Sequence, residues 1–546
     1  MKICRITIHN FRSVRDATFV PEPYTALVGP NNHGKSNIIR ALLFFFDEVK
    51  VSSEDFLTEV GGARAEEMWV EVEYSNFSPI ELENIPPEYL LSGSRMRVRR
   101  ECKLSDLKPV AHGYELKGTA EALSEDDFFG AKGVGKSKLG DVVFIPAIRD
   151  VKDELKPQGS TALSNLVKQI VTPTLCECPE YERLSEAMEL FENALRGQGE
   201  VARREQRTYS SLNEIEATLN EELREWHCDV KMQIKPMEPV DIVRQGTSLT
   251  LRGQGEPDGL PESKGHGIQR SLLVALLKIL AEAERANRLR ASSSSKKVFR
   301  PICTLVLFEE PEIFQHPPRQ AKLFEDLRQL SKRDDLQIIV SSHSSHFLHP
   351  DLDLKSVVQV RKDPYTVAYQ VSQGTLEELA EEVRQQRLDV TRWLNGDRSS
   401  LFFCDRALLV EGATEKIVIP YLSSRYRGSL DGFYVMDCGL KTNIKHFMRL
   451  CSDLRITHIV LHDADDNLPL DNWKRAENQA IEAVRNQSTI EIHSVSPKFE
   501  AYFGIGGGGG IQARKPFQVL QFFKENEVKR DALRAILPEI FPPLEQ

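Results

Sequence analysis

The octapeptide Gly29-Pro30-Asn31-Asn32-His33-Gly34-Lys35-Ser36 satisfies every fixed position of the pattern G-x-x-x-x-G-K-[ST]. Before it, Tyr24 to Val28 reads as a short buried strand; after it, Asn37 to Phe46 reads as an apolar helix. Glycine lets the backbone curl until several N–H groups face one anion, and the helix adds the positive end of its dipole. Lys35 is expected to reach the β- and γ-phosphates of a nucleotide and Ser36 to ligate Mg²⁺. Asn31, Asn32, Gly34 and Asn37 frame the same cradle. The alternative, a chance glycine turn before a helix, does not account for strand, loop and helix all being in place.

Outward from that loop, residues 67–120 hold alternating segments such as Met68–Tyr74 and Met96–Cys102, read as antiparallel strands with one wet face. Gly130–Ser137 ends in Gly-Lys-Ser but lacks the first glycine of the pattern, and reads as a polar turn. Asp141–Pro146 reads as a buried strand. From about 160 to 228 the chain turns helical and heavily charged, with Leu184, Met188, Phe191 and Leu195 on one stripe and Leu212, Ile215, Leu219 and Leu223 on another. Such a pair is either a dimerisation surface or a hairpin packed on its own domain. Gly265-His-Gly267-Ile-Gln269 opens the apolar helix 271–280, another anion-binding geometry. After a polar linker at 291–297, Thr304 to Glu310 is an apolar run ending in paired acids. Glu309 is suited to the Mg²⁺ shell and Glu310 to orienting a water. The strand 336–340 then leads to His343, either a structural histidine or, by its place at a strand end, a contact for a γ-phosphate.

The phosphate loop, the Gly265–Gln269 turn, Glu309-Glu310 and His343 occur in the order of ABC-type ATPases. They resemble the branch that works on DNA, over roughly residues 1–370. That resemblance implies paired heads with ATP between them, Gly265, Gly267 and Gln269 facing the phosphate loop of a second copy. Two departures stand out: Glu-Glu replaces the common Asp-Glu, and no LSGGQ precedes the signature helix.

After residue 398 a second α/β pattern begins. The strand Ala407–Val410 ends at Glu411-Gly412, with Glu415 in the following helix; Ile459–His462 ends at Asp463-Ala-Asp465; Ile490–Val495 is followed by Glu500. Acids at the carboxyl ends of parallel strands converge on one edge, and in Asp-x-Asp both carboxylates can aim at one cation. All-oxygen ligands suit Mg²⁺ or Mn²⁺. Acidic strand ends that merely face solvent are the alternative. The run Gly504–Gly510 reads as a floppy loop, and Lys515 beyond it is either an exposed surface lysine or a cation for a scissile phosphate.

Glu-Gly after one strand with Asp-x-Asp after another resembles the Toprim fold. An ATPase head joined to Toprim resembles the overcoming-lysogenisation-defect (OLD) family of ATP-dependent endonucleases. The resemblance implies an α/β protein: an ABC-type head with an antiparallel β arm and a helical insert, then a Toprim domain. The expected divisions are 1–155 and 241–395 for the ATPase lobes, 156–240 for the dimerising insert and 396–546 for Toprim. By the same resemblance Glu411, Glu415, Asp463, Asp465 and Glu500 bind metal and Lys515 joins catalysis of DNA cleavage in anti-phage defence, in a homodimer, often beside a partner protein. Two other readings remain: a non-cleaving ATP-driven DNA clamp, and a nuclease acting on RNA.

Composition bounds these expectations. A length of 546 residues exceeds one core, and 40% hydrophobic with 28% charged residues describes an ordinary globular protein. The net charge of −10 argues against wholesale coating of nucleic acid but leaves room for a local basic groove. No apolar run spans a membrane, the N-terminus lacks a signal-peptide pattern, and nine scattered cysteines hold no CxxC pair, so a reduced, cytoplasmic protein is expected.

Overall fold

The computed structural model describes residues 1–118, 120–128, 139–147, 178–195, 304–313, 315–348, 354–384, 397–469, 471–505 and 515–543, with isolated positions between 220 and 279. The expected turn at 130–137, the helix 209–226 apart from 220–221, half of the helix 271–280, the linker 291–297 and the glycine run from 506 lie outside the described residues. Contacts divide the chain into one unit of Met1–Ala147 with Val298–Gln546, and a second of Ile148–Lys297.

Among its described residues the first unit carries two sheets. The larger has twelve strands in the order β7-β6-β5-β4-β1-β2-β12-β11-β3-β10-β9-β8. Its middle is built from β3 (Tyr24–Val28), β9 (Thr304–Glu309), β10 (Leu336–Ser341) and β11 (Val357–Lys362), which run parallel. Every residue of β3 and β10 is buried, the pattern of strands covered on both faces. On one side β8 (Asp141–Ile145) continues the parallel set. On the other, β12 (Thr366–Gln370) turns back against β11, and β1 (Lys2–Phe11) and β2 (Val14–Phe19) pair antiparallel. Beyond them β4 (Glu67–Ser75), β5 (Met96–Lys103), β6 (Val110–Lys117) and β7 (Ala120–Asp127) form the expected antiparallel arm. Alternation is clear in β5, where Met96, Val98, Arg100 and Cys102 point inward.

Helix α1 (Lys35–Phe45) leaves β3 through the glycine loop and buries Ile38, Ile39, Leu42, Leu43 and Phe45 in the main core. Each such side chain contributes about 1.5–3 kcal/mol, so the helix and the loop it anchors are held firmly. In the second unit, α2 (Pro179–Leu195) is helical as expected, with Leu184 exposed by 42%. Helices α3 (Pro317–Ser331) and α4 (Gln373–Arg384) complete the ATPase part of the first unit.

The smaller sheet holds β13 (Arg406–Val410), β14 (Phe433–Asp437), β15 (Thr457–Asp463) and β16 (Thr489–Val495) in the order β14-β13-β15-β16, all parallel. Helices α5 (Ala413–Arg425), α6 (Ile444–Asp453), α7 (Trp473–Ala483), the single turn α8 (Phe499–Tyr502) and α9 (Lys515–Glu525) follow in sequence. Val410, Val418, Leu461, Phe499, Val519 and Phe523 share one separate core. Among the described residues no helix is long and apolar enough to cross a membrane.

Candidate functional site

The first site is built on the carboxyl ends of β3, β9 and β10. Two glycines make the loop possible. Gly29 sits at φ 139°, and a Cβ there would meet the Val360 carbonyl oxygen at 2.2 Å. Gly34 sits at φ 99°, and a Cβ there would meet Thr366 Oγ1 at 2.3 Å. The loop is thus pressed against β11 and β12 as only glycine allows. It rims a cavity of about 510 Å³ lined by Asn31, Asn32, Lys35, Ser36, Glu310 and His343. Asn37 also lines it and donates to Ser13 Oγ at 2.7 Å.

Lys35 is 5% exposed and donates to the Gly29 and Pro30 carbonyls at 2.8 and 2.9 Å. Burial lowers its pKa to about 8, against the pull of Glu310 and Glu312. Glu309 hydrogen-bonds the Ser36 hydroxyl; burial raises its pKa, and that bond opposes the rise. Glu310 takes a left-handed backbone, φ 41°, with its N–H donating to the Ser341 carbonyl at 2.8 Å. A non-glycine residue held there is strained in the way functional residues often are. His343 Nε2 stands 3.4 Å from Glu310 Oε1. Burial and the Lys35 charge lower the His343 pKa, so the ring is neutral near pH 7. A cavity with loop amides, one ammonium, a hydroxyl–carboxylate pair and a poised second carboxylate fits a nucleoside triphosphate with its cation. The structure brings Glu309, Glu310 and His343 to this one place.

Four further residues there escape sequence reasoning. Glu312 lines the cavity and accepts the His343 backbone N–H; Ser13 and Lys362 line it too; His33 Nδ1 accepts the Lys362 N–H at 3.3 Å. Lys362 follows Arg361, whose guanidinium donates to the Asp405 carbonyl at 2.9 Å, just before β13. The end of β11 therefore touches both the phosphate loop and the segment that leads into the first strand of the second sheet. Gly265, Gly267 and Gln269 belong to the other unit. There the Gly265 carbonyl accepts the Ile268 N–H at 2.9 Å, and buried Gln269 donates to the Lys264 carbonyl at 2.7 Å.

The second site lies at the carboxyl edge of the smaller sheet. Glu411 ends β13, and its Oε2 accepts the Asp463 N–H at 3.4 Å. Glu415, 7% exposed, caps its own helix by accepting the Gly412 N–H at 3.2 Å. Asp463 Oδ1 accepts the Phe499 N–H at 2.9 Å. Glu500, 8% exposed, meets Lys515 Nζ at 2.6 Å. Four acids from four segments are thereby gathered. Burial first, and then one another's charge, raises the pKa of Glu415 to about 8 and of Asp463 to about 6. Glu411 is raised chiefly by burial, with Lys441 pulling the other way.

Crowded, proton-holding carboxylates are what an all-oxygen divalent-cation site looks like without its cation. Asp465 Oδ1, fully buried, has no hydrogen-bond partner. Yet among the described residues no three acids, histidines or cysteines close into a metal cage. Two lysines stand among these acids: Lys515 rests on Glu500, and Lys441 Nζ lies 2.9 Å from Asp465 Oδ2. The two carboxylates of Asp-x-Asp thus have different partners. Lys441 carries no sequence signal. It follows β14, a strand of mixed composition that pattern reading passes over.

Comparisons with known proteins match an ATPase region and a TOPRIM region in turn. Residues 1–132 and 111–348 match the AAA ATPase domain family, and 402–465 match the overcoming lysogenization defect protein-like TOPRIM domain. The Old nuclease of Escherichia phage P2 is 28% identical over 78% of this chain and 70% of its own length. The OLD nuclease of Thermus scotoductus is 24% identical over 98% of both chains. Among solved structures, the SmcHead bound to the C-winged helix domain of ScpA covers 69% of this chain and 100% of that one, at 13% identity and a TM-score of 0.40, a distant likeness. The chain thus belongs to the AAA ATPase domain family, carries an OLD-like TOPRIM domain after that region, and is similar to OLD nucleases over most of its length.

Proposed function

We propose that this protein is an ATPase and a divalent-metal-dependent endonuclease that cuts DNA, its nucleotide and nuclease chemistries lying in separate sites. The observation that carries the reading is the gathering of Glu411, Glu415, Asp463 and Glu500, with Lys515, at one sheet edge, where burial and mutual repulsion keep Glu415 and Asp463 protonated above their ordinary range. Glu411, Glu415, Asp463 and Glu500 would hold Mg²⁺ or Mn²⁺. Such ions, when bound, offset charge on the attacking and leaving oxygens of a phosphodiester displacement. The Phe499 N–H orients Asp463, and the Gly412 N–H orients Glu415. The half-exposed Lys515 is the ammonium available to offset charge on the scissile phosphate. At the nucleotide site, Lys35 exchanges the Gly29 and Pro30 carbonyls for phosphate oxygens, and Glu310 accepts a proton from the attacking water.

The test is supercoiled plasmid with Mg²⁺ or Mn²⁺. Asp463→Ala is expected to lose at least about 100-fold in nicking rate; equal nicking by wild type and variant removes the assignment. We further read the insert as a self-association surface, since Leu184 and Leu190 on α2 are 42% and 67% exposed. A monomeric sedimentation coefficient at all concentrations ends that part. The setting in anti-phage defence, often beside a partner protein, follows from the family resemblance and is checked by plaque counts on cells with and without the intact gene.

A further inference from the structure

The TOPRIM site contains a cation of its own. Lys441 is 2% exposed. It is delivered by the turn after β14, where Gly439 at φ 80° passes so close to Arg398 that a Cβ would meet Nη2 at 2.6 Å. Asn443 Nδ2 ties that turn down through the Cys438 carbonyl at 2.9 Å. From there the Lys441 ammonium reaches across to β15. It donates to the Asp463 carbonyl at 2.6 Å and to Asp465 Oδ2 at 2.9 Å. Asp465 is itself fully buried, in a left-handed backbone at φ 51°, with its N–H on the Pro497 carbonyl at 2.9 Å. Lys498 Nζ stands 4.0 Å from its Oδ1. A buried carboxylate and a buried ammonium tolerate each other's company only as a pair. This pair brackets the residue whose carboxylate faces Glu411 and Glu500.

We propose that Lys441 is a positioning residue of the metal site: by bridging the Asp463 carbonyl and the Asp465 carboxylate it sets the Asp-x-Asp turn, so that Asp463 presents its carboxylate to the cation while Asp465 stays committed to the lysine. This rests on the metal-nuclease reading above. Supporting groups of this kind carry about 10–100-fold in metal affinity. If the two residues act as one contact, removing both weakens binding no more than removing the worse of them.

The experiment is calorimetric titration of the full chain with Mn²⁺, without DNA, well below the unfolding temperature, for wild type, Lys441→Met, Asp465→Asn and the double variant. Lys441→Met and Asp465→Asn are each expected to bind about 10–100-fold more weakly, with the double variant matching the weaker single. A purely structural lysine would lower the unfolding temperature and leave Mn²⁺ affinity untouched, which overturns the proposal, as does a double variant in which the two losses multiply. If Lys441→Met does not fold, the double variant, free of the stranded carboxylate, is compared with Asp465→Asn. Equal affinity supports the pairing, and a further tenfold loss sinks it. Wild type that binds no Mn²⁺ brings down the metal-nuclease reading and the proposal together. Binding lost in Asp463→Ala but kept in Lys441→Met brings down the proposal alone.

Discussion

Glu415→Gln should stabilise the metal-free protein at alkaline pH and do nothing for it in acid. Glu415 is 7% exposed and surrounded by like charge from Asp463, Glu500 and Glu411, with Lys515 the nearby cation. Burial is the larger cause and the neighbours the next, together raising its pKa from 4.5 to about 8. A carboxyl with a folded value above its unfolded one contributes stability in full below pH 4.5 and loses it as pH rises through 8. At about 1.4 kcal/mol per pH unit, the difference at pH 8.5 is at most on the order of 5 kcal/mol. Asp463, raised to about 6, shares part of it. Glutamine keeps an oxygen for the Gly412 N–H and carries no charge.

Scanning calorimetry in EDTA from pH 5 to 8.5 reads the effect. The unfolding temperature of the variant minus that of wild type should start near zero and climb by several degrees, at roughly 2–4 °C per kcal/mol for a domain of this size. Buried His446, His458 and His462, each lowered to about 4, lose stability in the opposite direction as pH falls from 6.5. That loss is common to both proteins and cancels in the difference. Mg²⁺ at 100 times its Kd should narrow the gap, because it adds about 2.7 kcal/mol to wild type. A difference that stays flat across pH, or a variant less stable than wild type at pH 8.5 without metal, refutes the reasoning.

Lys35→Ala should weaken ATP binding by about 10- to 100-fold, the worth of one ammonium's charge-assisted hydrogen bonds at 1.5–3 kcal/mol; equilibrium dialysis showing unchanged affinity would undo the phosphate-loop assignment. Arg361→Ala removes the guanidinium from the Cys404 and Asp405 carbonyls. The ratio of DNA cleavage rates with and without ATP should then move toward one, and an unchanged ratio would show that the end of β11 does not link the two sites.

Much of the ATPase half is legible in the chain itself. Gly29 to Ser36 is contiguous, and β3 and α1 flank it with boundaries within about two residues of the expected ones. The same holds for Thr304–Glu309 and Leu336–Ser341, where burial of nearly every position writes a mostly apolar run. Glu411, Glu415 and Asp463 are also marked, because acids at the ends of apolar strands stand out. The sheet order that brings the first two beside Asp463, and the turn that adds Glu500, are decisions of pairing and packing.

The nearer neighbours are less legible still. Lys441 meets Asp465 across 24 positions, His33 meets Lys362 across 329, and Ser13 meets Thr366 across 353. Sequence periodicity reports which face of one element is buried and what its ends look like, because those follow from the local backbone. Which lysine neutralises which acid follows from strand order and the course of loops, and those are settled only when distant segments compete for the same buried space.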